Sequence, residues 1–168
     1  MPLALILDKD FERFLYQEAE ITAAGLASFI QQWQQNQLAA YLKSEPEPAE
    51  PYQKGVRQLV GTNFKSVVYD RSRHVLVYFY SPLCGHCKTV GPEIAIVAQH
   101  FQADSSIEVA SIDLTKNEVE GLTIDKFPTI KLYSADNKEG IEYTGLRTGA
   151  PMIEFVQRET GKTHKTDL

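Results

Sequence analysis

Cys84 and Cys87 are the only cysteines in the 168-residue chain, and only Gly85 and His86 lie between them. At that spacing the second sulfur reaches the first, so a mixed disulfide formed at Cys84 can be resolved by Cys87. A thiolate attacks disulfides and a thiol does not, so this chemistry needs a place that favours negative charge on sulfur. The flanking residues predict such a place. Val75 to Tyr80 is dense in β-branched and aromatic residues and reads as a buried strand, which Pro82 stops. Beyond the cysteines, Val90, Ile94, Val97, Ala98 and Phe101 recur at helical spacing. The pair therefore falls where a strand turns into the first turn of a helix, whose unpaired N–H groups and partial positive charge favour the Cys84 thiolate. His86 adds positive charge beside it, and a pair whose reduced form is stabilised is an oxidant. Pro92 is expected to kink the helix.

Two other uses of a Cys-x-x-Cys pair fit less well. A structural zinc site takes a complete tetrahedral ligand set, and no second such pair exists, while His74, His100 and His164 are scattered. No metal is expected. A purely structural disulfide closing so short a loop would constrain the unfolded chain little.

The run Val77-Tyr-Phe-Tyr-Ser-Pro-Leu-Cys-Gly-His-Cys-Lys88, followed by Phe127-Pro-Thr129, resembles the catalytic domains of the protein disulfide isomerase family. The order of later features, including the chain terminus, is similar to the last catalytic domain of that family. The resemblance implies an α/β, thioredoxin-like mixed sheet with helices on both faces. It implies a thiol–disulfide oxidoreductase and isomerase that forms and rearranges disulfides in unfolded or misfolded cysteine-containing proteins of the endoplasmic reticulum lumen. Glutathione or an upstream thiol oxidase would be its redox partner, and the Cys84–Cys87 disulfide itself would be the redox group, with no other cofactor. A binding module of the same fold with weak redox activity, holding unfolded chains, is the alternative. Gly85, His86 and Arg147 would support the cysteines, Arg147 by helping Cys87 lose its proton. Pro128 would be cis beside the disulfide, and Phe127 would offer its backbone to a substrate peptide. The terminal Lys165-Thr166-Asp167-Leu168 resembles a retrieval signal, with Thr166 and Asp167 departing from its usual form.

Around this centre the chain predicts its own organisation. Leu3–Leu7 and Phe11–Tyr16 read as strands, and Ile21–Leu38 as a helix with Thr22 as N-cap and a Leu26, Phe29, Ile30, Trp33 stripe. Residues 1–43 thus resemble the β-β-α tail of a preceding non-catalytic thioredoxin-like domain, an incomplete fragment. The Pro- and Glu-rich 44–51 is expected to be an extended linker, 52–161 the catalytic domain, and 162–168 the tail. Within 52–161 the expected elements are a strand at Val56–Val60, one or two helical turns at Phe64–Tyr69 and a strand at Ile107–Ile112. A short polar helix around Asn117–Leu122, strands at Thr129–Tyr133 and Ile141–Thr144 and a helix at Pro151–Glu159 follow. The net charge of −5 argues against nucleic acid as a partner. No apolar run reaches membrane-spanning length. The N-terminal apolar run ends at Asp8-Lys9-Asp10, too short for a signal peptide, so the chain is expected to be a piece of a longer one.

Three positions depart from the family pattern. Leu83 stands where a tryptophan precedes the first cysteine. Tyr78 stands in place of a buried glutamate, and Ser111 in place of the lysine that pairs with it. Losing both together makes physical sense, because removing one partner leaves a buried charge uncompensated. A neutral hydrogen bond or a water shared by Tyr78 and Ser111 is expected instead. Tyr78 is a poor base at neutral pH, so deprotonation of Cys87 would fall to water or to help from Arg147. Attack by Cys84 is expected to stay fast and resolution by Cys87 to be slow.

Overall fold

In the computed structural model, residues 3–9 and 11–162 are described. The retrieval-like Lys165, Thr166, Asp167 and Leu168 lie outside the described residues. The chain divides into two compact units, Met1–Leu42 and Lys43–Leu168.

The first unit is an antiparallel pair, β1 (Leu5–Leu7) and β2 (Arg13–Leu15), followed by helix α1 (Ala23–Gln34). Thr22 caps α1 by accepting the Gly25 N–H at 3.0 Å. One face of the pair, carrying Ile6 and Phe14, packs with Tyr16, Phe29, Leu26 and Trp33 into a small core. The other face leaves Leu5 and Leu7 about half exposed, as expected of a hairpin and one helix without a partner sheet.

The second unit holds a six-stranded mixed sheet. In chain order it contains β3 (Tyr52–Gln53), β4 (Val56–Leu59), α2 (Gly61–Val68), β5 (His74–Tyr80), α3 (Gly85–Phe101) and β6 (Ile107–Asp113). Then come β7 (Thr129–Tyr133), β8 (Ile141–Glu142) and α4 (Gly149–Thr160). The spatial strand order is β3-β4-β6-β5-β7-β8. Strands β4, β6 and β5 run parallel, β7 pairs antiparallel with β5, and β8 pairs antiparallel with β7. Strand β5 is buried on both faces, and its residues alternate between two cores. Leu76 and Tyr78 join Val90, Ile94, Val97 and Phe101 of α3 with Met152, Phe155 and Val156 of α4. Val75, Val77 and Phe79 join Phe64, Val67 and Val68 of α2. Each such apolar side chain contributes about 1.5–3 kcal/mol on burial. No helix of the described residues is long and apolar enough to cross a membrane.

Two parts of the second unit differ from expectation. The β3–β4 hairpin turns through Lys54 and Gly55, at φ of 51° and 81°, the paired positive-φ geometry of a tight hairpin. The segment around Asn117–Leu122 is irregular instead of helical. Its organiser is the buried Asn117 side chain, which accepts from the Glu45 and Gly61 amides at 2.9 and 3.1 Å and donates to Glu45 and to the Asp113 carbonyl. An asparagine whose side chain satisfies backbone groups competes with helix formation. The same bonds draw Ser44 and Glu45 out of the expected linker, and Ser44 Oγ accepts the Thr62 N–H at the start of α2. The second unit therefore begins at Lys43, ahead of the expected boundary at 52.

Asn117→Ala orphans buried amides at both Glu45 and Gly61. It is expected to lower stability by about 1–3 kcal/mol, read by urea unfolding, with faster amide exchange at those two positions.

His74 supplies a pH dependence. It is buried at 8% exposure, its Nδ1 accepts the Ala135 N–H at 3.1 Å, and burial lowers its pKa, with Lys162 and Lys138 adding to the effect against Asp136 and Asp104. The fold thus prefers the neutral ring, while the unfolded chain takes up a proton near pH 6.5. Stability is full above about pH 6.5 and declines as pH falls from there toward the lowered folded-state pKa. Urea midpoints across pH 5–7.5 should fall less steeply for His74→Gln than for the unsubstituted protein.

Candidate functional site

Strand β5 ends at Tyr80, and the next three residues set the first cysteine. The Ser81 carbonyl accepts the Cys84 N–H at 3.1 Å, and Ser81 Oγ accepts the Leu83 N–H at 3.2 Å. Cys84 is the N-cap of α3, in extended backbone geometry, with its sulfur where a capping oxygen ordinarily sits. Cys84 Sγ accepts the Cys87 N–H at 3.3 Å, using one of the helix's orphan donors. Cys84 is half-buried, Cys87 is 4% exposed, and both are free thiols.

Their electrostatics separate them. Cys84 is held below the ordinary thiol range, first by a hydrogen bond from the Cys87 thiol, then by the Cys87 and His86 backbone amides and the positive charge of Arg147. Burial pushes Cys87 up, and its hydrogen bond to Cys84 pushes it further. The half-buried sulfur is the one whose thiolate is favoured, and the buried one is held toward the thiol.

The remaining site residues come from other elements. The Phe127–Pro128 bond is cis, Pro128 is buried, and the Phe127 carbonyl lies 3.7 Å from Cys84 Sγ, accepting from the thiol. Thr129 Oγ1 donates to the Lys126 carbonyl at 2.8 Å and steadies this turn. Gly85 and His86 are exposed in the first turn of α3. Arg147 is exposed on the loop before α4, where its charge acts on Cys84, whereas the sequence pointed to Cys87. That loop is fixed at both ends: the Tyr143 hydroxyl donates to the Leu146 carbonyl at 2.6 Å, and the Gly149 amide to Glu93 of α3 at 2.7 Å. Leu83 and Leu146, at 87% and 76% exposure, are free to meet an apolar chain.

Beneath Cys87 the expected register holds: Tyr78 pairs with Ser111 across β5 and β6. No direct hydrogen bond joins them. The Tyr78 hydroxyl donates to the Cys87 carbonyl at 2.8 Å, and Ser111 Oγ donates to Gln58 at 3.4 Å. Tyr78 is long enough to pass Ser111 and reach the helix, while Ser111 meets Gln58, its neighbour on β4. A groove of about 440 Å³ opens here, bounded by Gln58, Tyr78, Tyr80, Cys87, Lys88 and Ser111 among others. The groove and the Gln58 contact were not foreseen. The alternation of inward residues along β4, β5 and β6 carries a signal for them, since Gln58, Ser111 and Tyr78 fall in one row across the sheet.

Iodoacetamide at pH values below the free-thiol pKa of about 8.5 should label Cys84 well ahead of Cys87, read by peptide mass spectrometry. Equal labelling would contradict the assigned asymmetry.

Comparison with known proteins agrees with this architecture. The thioredoxin family profile matches residues 55–158. The chain is 32% identical over 154 residues to the protein disulfide-isomerase of Oryctolagus cuniculus, covering 91% of this chain and 30% of that protein. It is 33% identical over 165 residues to the protein disulfide-isomerase of Medicago sativa, covering 97% and 31%. It thus spans about a third of the length of these curated relatives. Among solved structures, the first thioredoxin domain of mouse protein disulfide-isomerase A4 superposes with a TM-score of 0.54 at 31% identity, covering 76% of this chain and 87% of that one. With the sheet order, the Cys84–Cys87 pair at the start of α3 and a family match across most of the second unit, the chain belongs to the thioredoxin family.

Proposed function

We propose that the chain is a thiol–disulfide oxidoreductase that forms and rearranges disulfides in unfolded or misfolded cysteine-containing proteins. The observation that carries the reading is the inequality of the two sulfurs: a half-buried Cys84 with lowered pKa, 3.3 Å from the amide of a buried Cys87 with raised pKa. In the oxidised form, a client thiolate attacks Cys84 Sγ. The client–Cys84 bond forms as the Cys84–Cys87 bond breaks, and Cys87 leaves with the electron pair and takes a proton. A second client thiolate then attacks the client sulfur, a client disulfide forms, and Cys84 departs as the stabilised thiolate. Rearrangement begins from the reduced form, with Cys84 attacking a client disulfide and Cys87 able to release the client. The exposed Leu83 and Leu146 favour clients that are unfolded, because those expose apolar side chains.

The fuller reading follows the named relatives. The client-facing site is Cys84 and Cys87, supported by Gly85, His86, Pro128 and Arg147, with Phe127 presenting backbone to the client. Electrons pass to glutathione or a thiol oxidase, and the lumen of the endoplasmic reticulum is the working compartment. Lys165–Leu168 serves there as the retrieval signal.

Insulin reduction and oxidation of a dithiol peptide both test this reading. Cys84→Ser should abolish both activities, and Cys87→Ser should accumulate a client adduct on Cys84 that non-reducing gels reveal. Equal activity in Cys84→Ser and the unsubstituted chain would overturn the enzymatic reading and leave a binding module that uses only the apolar rim.

A further inference from the structure

Cys87 must lose a proton before it can displace a client from Cys84, yet the groove beside it holds no base among the described residues. None of the described residues lining the groove beside it carries a carboxylate or an imidazole. The charged and titratable groups there are Lys54 from the β3–β4 turn, Lys88 on α3, Tyr78 and Tyr80 on β5 and the cysteine pair itself. From β6 the groove takes the neutral Ser111, while Asp113, at the end of that strand, acts on Tyr80. What the site does offer is a fixed hydroxyl. Tyr78 is 4% exposed, stacks on Tyr80 at 5.2 Å with the rings 10° from parallel, and already donates to the carbonyl of Cys87. Burial raises the Tyr78 pKa far above neutral, so it keeps its proton and acts as a donor only. The Ser81 amide, and after it the nearby Tyr78 hydroxyl, act to lower Cys87 against the desolvation that raises it, while the hydroxyl's bond in the resting structure is to the Cys87 carbonyl.

We propose that Tyr78 is a catalytic residue for the resolving step: its hydroxyl moves from the Cys87 carbonyl to Cys87 Sγ as the thiol ionises, and the proton leaves through the groove to solvent water. The Cys87 thiolate then attacks Cys84 Sγ, the Cys84–Cys87 bond forms as the Cys84–client bond breaks, and the client sulfur departs with the electron pair. Tyr78 is neither oxidised nor deprotonated. A stabilising donor replaces a proton acceptor, so the step is limited by how much thiolate the hydroxyl maintains.

The titration is independent of activity and so separates this inference from the oxidoreductase reading on which it rests. In Cys84→Ser, Cys87 is the sole thiol, and its ionisation is followed by thiolate absorbance at 240 nm. Adding Tyr78→Phe, which keeps the ring, should shift that curve upward by about one pH unit or more, the loss of one charge-assisted hydrogen bond. With both cysteines present, Tyr78→Phe should slow release of a trapped client by about tenfold or more while leaving the first attack by Cys84 unchanged. An unshifted Cys87 titration in folded Tyr78→Phe protein would overturn the proposal, and a purely structural tyrosine would change the unfolding midpoint without moving that titration. Should Tyr78→Phe not fold, the Tyr78 ¹³Cζ resonance in Cys84→Ser decides: it must shift with the Cys87 titration, and a resonance that ignores that titration refutes the transfer. Failure of Cys84 to attack any disulfide would remove the oxidoreductase reading, and the Cys87 titration would still decide the role of the hydroxyl.

Discussion

Burial of β5 on both faces is the constraint from which the site follows. Residues 74–79 are all buried, with alternate side chains committed to opposite cores. A one-residue slip would exchange Leu76 and Tyr78 for Val75, Val77 and Phe79 and misfit both cores at once, so the register is strongly held. Because the strand cannot slide, its end delivers Ser81, and through it Cys84, to a defined place. Helix α3 is fixed from the other side by Val90, Ile94, Val97 and Phe101. The cysteines sit at the one point where both restraints meet.

The inequality of the sulfurs is a product of that placement rather than of any difference in residue type. Cys84, at the N-cap, lies outside the helix and faces its orphan amides. Cys87, three residues on, points back into the core between α3 and the sheet, as positions on the inner helix face do. Solvation and hydrogen bonding then act in opposite directions on identical side chains. The Arg147 charge reinforces this from a loop whose two ends are tied by Tyr143 and Glu93, which ties a surface side chain to the core through backbone hydrogen bonds.

Much of this was legible in the sequence because the signals are local or periodic. The apolar run of β5, the helical spacing beyond Cys87, the pair itself and the Tyr78–Ser111 register could all be read from residue type and position. What escaped depends on how far a side chain reaches in three dimensions. Asn117 looked like part of a polar helix, and nothing local shows that its amide joins Glu45, Gly61 and Asp113 from segments as far as 72 residues away. The β3–β4 turn uses Lys54-Gly55, without the Asn or Asp that usually flags such a hairpin. Tyr78 and Ser111 were placed opposite each other, but pairing fixes the direction of a side chain and leaves its partner open. The long phenol passes the short serine and finds the helix.

That difference in length also explains why the floor beneath Cys87 is stable without charge. A buried carboxylate at position 78 would need a cation opposite, and Ser111 is too short and neutral to serve. A phenol needs only one acceptor. The Cys87 carbonyl, in the first turn of α3, supplies it at 2.8 Å. Ser111 donates to Gln58 and Gln58 to the Val56 carbonyl, so the polar row across the sheet is met by neutral hydrogen bonds. Such a row carries no charge of its own to be desolvated, and the space left beside it remains open as the groove. The floor beneath Cys87 is therefore set by hydroxyl and amide dipoles, which bring no charge of their own to the buried thiol.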